Sequence, residues 1–131
     1  MRRIIILDAD HVMRSALVER VLRTANTEAR VVADETELVS EVQSGLYSAV
    51  FADADLLDMG APRLIDAVRS APVRPMLVVA SNARVEELDP DLVTLVVRKP
   101  YDVLTVTGVL LSAALEVTPA PPPDTDAPTV S

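Results

Sequence analysis

Three aliphatic runs end in groups that can do chemistry. Ile4-Ile5-Ile6-Leu7 leads into Asp8, Ala49-Val50-Phe51-Ala52 leads into Asp53, and Leu92–Val97 is followed two residues later by Lys99 and then Pro100. Of the twelve basic residues in the chain, eleven are arginine and only Lys99 is lysine. That position therefore selects a compact, mobile ammonium over a planar guanidinium fork. Two carboxylates and one ammonium at the carboxyl ends of parallel strands would make a site for a small hard cation and a phosphoryl group. Carboxylate oxygens suit Mg²⁺, and an ammonium pairs with phosphoryl oxygens through charge-assisted hydrogen bonds. A plainer reading stays open, in which Asp8 and Asp53 only cap the loops that follow them.

The elements that must position these groups alternate along the chain. Ile4–Leu7 reads as a strand covered on both faces, the pattern of a parallel sheet. Residues 11–25 place Met13, Leu17 and Val21 on one helical stripe, with Ala16 and Val18 beside it. Ala29–Ala33 is expected as a second strand. Asp34 and Glu37 have the spacing of a capping box for a helix carrying Leu38, Val39 and Val42, which Gly45 ends. Ser48–Ala52 is the third strand. After Gly60-Ala61-Pro62 a helix points Leu64, Ile65 and Val68 inward. Pro75–Ala80 and Leu92–Val97 are the fourth and fifth strands, and Asp102 caps a last helix over 103–117. Ser81–Asp91, with Pro90 inside it, leaves room for only a short or irregular fourth helix. Five strand–helix alternations imply an α/β fold with a doubly wound open sheet, and such sheets bind ligands beyond the carboxyl ends of their strands.

Composition narrows the function. With 131 residues the chain is expected to form one domain over 1–117, and 118–131, rich in proline, a disordered tail. Aromatics make up only 2% of residues, so the core must be aliphatic. The absence of cysteine excludes disulfides and thiolate metal sites and fits a cytoplasmic location. No apolar run is long enough for a membrane span, and the apolar stretch after Met1-Arg2-Arg3 is too short for a signal peptide. A net charge of −8 argues against nucleic-acid binding.

Over residues 3–117 the chain resembles the receiver domain of bacterial response regulators. Asp8, Asp10, His11 and Arg14 stand where that family has its acidic cluster and first helix, Asp53 stands at the phosphoacceptor position, and Lys99-Pro100-Tyr101-Asp102 is similar to the family's Lys-Pro-Phe-Asp signature, whose Lys-Pro bond is typically cis. The resemblance implies a five-stranded parallel sheet of order 2-1-3-4-5. It implies a signalling module rather than an enzyme, with a histidine kinase or phosphotransfer protein as partner. Asp53 would accept the phosphoryl group, Lys99 would pair with it, and Mg²⁺ would be held by Asp8, Asp53 and the backbone carbonyl of Asp55, with Asp10 as a further candidate.

The chain departs from that pattern at named positions. Ala9 replaces the second acid, normally the direct metal ligand, so Mg²⁺ binding is expected to be weak. Ala80 fills the place of the Thr or Ser that ends strand four, with Ser81 one residue late. Val96 replaces the switch aromatic, and Leu57 a proline. The expectation is thus an atypical receiver, either phosphorylated on Asp53 or acting through binding alone as a pseudo-receiver. Asp10 also suits the N-cap of the first helix, and the Asp55 side chain either adds a ligand or repels phosphate. His11 reads as solvated, and Met13 and Met59 as packing residues. The last helix has no charged residue from Val103 to Leu115 and too many apolar positions for one stripe, which suggests an interface, first of all a homodimer. A competing reading takes Asp8 as nucleophile and Asp10 as general acid–base in a segment similar to the first motif of haloacid-dehalogenase-like phosphatases, with Ser81 and Lys99 binding phosphate.

Overall fold

The computed structural model describes residues 2–81 and 91–117. Five parallel strands, β1 (Arg2–Leu7), β2 (Thr27–Val31), β3 (Ala49–Asp53), β4 (Met76–Ser81) and β5 (Leu95–Arg98), lie in the order β2-β1-β3-β4-β5. The helices are α1 (His11–Leu22), α2 (Glu35–Gln43), α3 (Pro62–Ser70) and α4 (Val103–Val117), with a 3₁₀ turn over Ala54–Leu56. The doubly wound sheet of order 2-1-3-4-5 is therefore observed. The expected short fourth helix and the proline-rich tail lie outside the described residues, and the last helix is α4.

The alternation of side chains along each strand divides the core. Ile4, Ile6, Phe51, Val78 and Ala80 face α1 and α4, where they meet Leu17, Val21, Val106 and Leu110. Ile5, Leu7, Val50, Ala52, Leu77 and Val79 face α2 and α3, where they meet Leu38, Val42, Leu64 and Val68. Each fully buried aliphatic side chain contributes about 1.5–3 kcal/mol, which is how a core nearly free of aromatics holds. The three interior strands, β1, β3 and β4, read as apolar runs because both their faces are covered.

Helix starts follow their caps. Asp10 caps α1 by accepting from the N–H groups of Val12 and Met13 at 2.9 and 3.1 Å. Asp34 accepts from Glu37 N at 2.9 Å, but the Glu37 carboxylate reaches back to Ala33 N (2.9 Å) rather than to the cap residue itself. Gly45 follows the end of α2 at φ 75°, and a Cβ there would stand 3.1 Å from the Pro72 ring. The Leu104 N–H and the Thr105 hydroxyl both donate to the Asp102 carboxylate at the start of α4.

Both edge strands differ from expectation. β2 begins at Thr27 rather than Ala29, because pairing of Arg2 with Thr27 sets its start and its outer residues are polar. β5 is confined to Leu95–Arg98. Leu92 is buried, yet it enters the α2–α3 side of the core from a turn rather than from the strand.

Candidate functional site

β1, β3 and β5 end at one edge of the sheet. Asp53 closes β3, Asp8 follows Leu7 by one residue, and Lys99 follows Arg98 by one residue, its N–H donating to Ser81 O at 3.1 Å. The Lys99–Pro100 bond is cis. Lys99 Nζ lies 2.7 Å from Asp53 Oδ2 and 3.0 Å from Asp55 Oδ2. Asp53 is wholly buried, and the Lys99 side chain is 17% exposed. The structure thus brings the predicted ammonium onto the predicted acceptor carboxylate.

Two backbone donors complete the setting of Asp53. Asp55 N donates to Oδ1 at 3.0 Å and Ala9 N donates to Oδ2 at 3.1 Å. Ala9 therefore contributes its main chain to the site although it has no carboxylate to offer. Burial pulls the Lys99 ammonium down, but the hydrogen bonds and negative charges of Asp53 and Asp55 outweigh it and raise its pKa above the ordinary 10.5.

Asp8 is tied down separately. Its Oδ1 accepts from Asp10 N at 2.9 Å, and its Oδ2 accepts from the Tyr101 hydroxyl at 2.5 Å. The Tyr101 ring packs on Phe51, centroids 5.0 Å apart. Burial raises the Asp8 pKa above 3.8, reinforced by the charge of Asp53 and opposed by the Tyr101 and Asp10 hydrogen bonds and by Lys99. The Tyr101 hydroxyl is itself pushed up, by burial first and then by its bond to Asp8. Arg14 braces the same turn, donating to Asp8 O at 3.1 Å and contacting His11 Nδ1 at 2.8 Å.

The remaining sequence candidates fall as follows. The Asp10 carboxylate caps the first turn of α1 through Oδ1, as the N-cap reading expected, and its N–H donates to Asp8. The Asp55 carboxylate joins the site as a second partner of Lys99. Ala80 pairs in register with Asp53 and lies on the same face, so a methyl group stands beside the Asp53 carboxylate. Ser81, one residue on, alternates to the other face. Val96 is 46% exposed on β5. Sequence reasoning missed the Tyr101 hydroxyl and the Asp55–Lys99 pair. The signals were present as a tyrosine where the signature has phenylalanine and as an acid two residues after Asp53.

No family model matches the sequence, and no curated protein matches it. Solved structures match well in shape. A response regulator protein from Burkholderia pseudomallei, solved with a phosphorylated aspartic acid, a calcium ion and citrate, superposes with a TM-score of 0.68 at 16% identity, over 89% of this chain and 71% of its own. A CheY-like response regulator receiver domain from Methanospirillum hungatei JF-1 gives a TM-score of 0.67 at 15% identity, over 88% and 95% of the two chains. This chain has the CheY-like receiver fold. A sensor protein from Polaromonas sp. JS666 reaches 24% identity with a TM-score of 0.66, over 88% and 97%. At the carboxyl end of its sheet this chain places the Ala80 methyl group level with Asp53, alanine directly after Asp8, and the Tyr101 hydroxyl on Asp8.

Whether Mg²⁺ suits this site is decided by its donors. They are right in kind, being hard oxygens, but not in arrangement. Lys99 already bridges Asp53 and Asp55, both Asp8 oxygens accept hydrogen bonds, and Ala9 adds no side-chain ligand. Among the described residues no three acidic or imidazole side chains converge on a point where they would share an ion. As arranged, the residues do not form a ready metal site.

Proposed function

We propose that the chain is a receiver module of histidine–aspartate signalling whose phosphoacceptor is Asp53. The observation that carries the reading is the 2.7 Å contact between the sole lysine and the buried Asp53 carboxylate at the end of β3. A parallel sheet of this order places ligands at that edge, and the ammonium supplies fixed positive charge where negative charge must arrive. In the proposed step an Asp53 oxygen attacks the phosphorus of an N-phosphorylated imidazole on a partner kinase or phosphotransfer protein. The P–N bond breaks, the imidazole leaves with a proton, and an acyl phosphate remains on Asp53. Lys99 then transfers its hydrogen bonds to the phosphoryl oxygens, and the N–H groups of Ala9 and Asp55 are the nearest further donors.

The test is intact-mass measurement after incubation with acetyl phosphate, with and without Mg²⁺, for the wild type and for Asp53→Asn. One added phosphoryl group on the wild type and none on the variant supports the reading. Addition that persists in Asp53→Asn, or no addition in any condition, refutes phosphoryl transfer to this residue.

The second reading, a pseudo-receiver that works through binding alone, is favoured by Ala9 and Ala80, which leave neither a second acid nor a hydroxyl at the acceptor, and by the complete burial of Asp53. A partner that binds wild type and Asp53→Asn equally would select it. Self-association belongs to either reading. Val106 and Leu110 are fully buried in the core and Val103, Val109 and Leu111 partly so; among the described side chains of α4, Leu104, 58% exposed, is the apolar one offered outward. Sedimentation as a monomer at micromolar concentration removes the homodimer.

A further inference from the structure

We infer that Tyr101 gates the acidic site: its hydroxyl holds the Asp8 carboxylate, so a divalent cation must compete with that hydrogen bond for Asp8 Oδ2. The inference uses the receiver reading to locate the site and does not depend on phosphoryl transfer.

The geometry leaves Tyr101 little freedom. Its hydroxyl stands 2.5 Å from Asp8 Oδ2, and both residues are buried, Tyr101 at 6% and Asp8 at 2% exposure. The ring is packed on Phe51, and the chain on either side is anchored by the Lys99 N–H on Ser81 O and by the Asp102 cap of α4. The packed ring holds the hydroxyl oxygen in place, away from solvent, when its acceptor is taken. An ion that claims Oδ2 therefore leaves a buried O–H unpaired, in addition to breaking a charge-assisted bond. The other Asp8 oxygen is no free alternative, since Asp10 N donates to it. A carboxylate has about four lone-pair positions, and the protein fills two of them on Asp8 from fixed directions.

The surrounding residues sharpen the effect. With alanine at position 9, the residue next to Asp8 has no carboxylate to offer the ion in its place. Asp53 is engaged by Lys99, Ala9 N and Asp55 N. The tyrosine hydroxyl is therefore the group whose removal most directly returns an oxygen to the site. Phenylalanine at position 101 would keep the ring on Phe51 and remove only that hydroxyl.

Titration with Mg²⁺ at neutral pH, followed at the backbone amide signals of Asp8, Ala9, Asp10 and Asp53, separates the possibilities. Tyr101→Phe is expected to bind about tenfold more tightly than the wild type, the factor that follows from a net charge-assisted hydrogen bond. Binding by the Phe variant and none by the wild type also supports the gate. Equal affinities, weaker binding by the variant, or no binding by either overturns it, and weaker binding would show that the hydroxyl orients Asp8 for the ion. A measurement on the wild type alone guards against a variant that misfolds. If the wild type binds Mg²⁺, the Tyr101 ring signals must shift in step with the Asp8 amide as the hydroxyl is released. Binding at Asp8 with an unmoved Tyr101 ring overturns the inference even without the variant. Failure of acetyl phosphate to label Asp53, with the cation result as expected, would count against phosphoryl transfer and leave the gate standing.

Discussion

Lys99→Met removes the ammonium while keeping an unbranched stem of similar length, and so isolates the charge at the centre of the site. Asp53 is wholly buried and Lys99 only 17% exposed, so solvent screens the pair little. Removing one partner of a buried pair typically costs about 3–5 kcal/mol, because the other charge is left uncompensated. Here Asp53 keeps two backbone donors, Asp55 N and Ala9 N, one on each oxygen, which lowers the expected loss to about 2–3 kcal/mol. The contact with Asp55 adds little, since that carboxylate is 39% exposed. Against a total stability of about 5–15 kcal/mol the variant should fold, with its melting temperature lowered by roughly 10 °C. Asp53→Asn/Lys99→Met should recover much of the loss, because the orphaned charge is gone. Urea unfolding of the wild type, both single variants and the double variant measures the coupling. A Lys99→Met protein within about 0.5 kcal/mol of the wild type, or a double variant no more stable than Lys99→Met, would refute a buried, mutually dependent pair.

Asp8 gives a pH dependence of opposite sign to that of a salt-bridged acid. Its folded-state pKa is raised above 3.8, so its contribution is fully present below that value and is lost as pH rises through the raised one. Asp8→Asn should therefore be more stable than the wild type at neutral pH, and unfolding curves at a series of pH values should show the gain vanishing on acidification. Asp10→Ala should cost about 1 kcal/mol through loss of the α1 cap, equally with and without Mg²⁺; a loss that appears only with Mg²⁺ would instead make Asp10 a ligand. Leu110→Ala should cost about 3 kcal/mol by opening a cavity against the sheet. Leu104→Ala, on the exposed side of the same helix, should change stability by less than about 0.5 kcal/mol, unless the chain self-associates there.

What the sequence disclosed follows from where each residue sits. β1 and β3 were legible because strands covered on both faces must be aliphatic throughout, and that run stops where the sheet edge meets the loops. The stopping residues, Asp8 and Asp53, therefore announced themselves, and Lys99 stood out as the sole lysine of the chain. The edge strands were harder because only part of each is covered. Glu28 and Arg30 hide β2 from a hydrophobic pattern, while Leu92 extends the apparent length of β5 by entering the core from a turn.

The Tyr101–Asp8 bond was invisible for a different reason. The two residues are 93 positions apart, and periodicity reports the face on which a side chain lies but not where its terminal atom ends. Phe51 links the legible and illegible parts of the site. It belongs to the same strand face as Asp53, and the ring it supports carries the hydroxyl that holds Asp8. A substitution that let the Tyr101 ring tilt would therefore disturb Asp8 without touching any charged residue. Phe51→Leu should accordingly alter the Asp8 amide environment as well as stability, so the core packing and the acidic site are mechanically one unit.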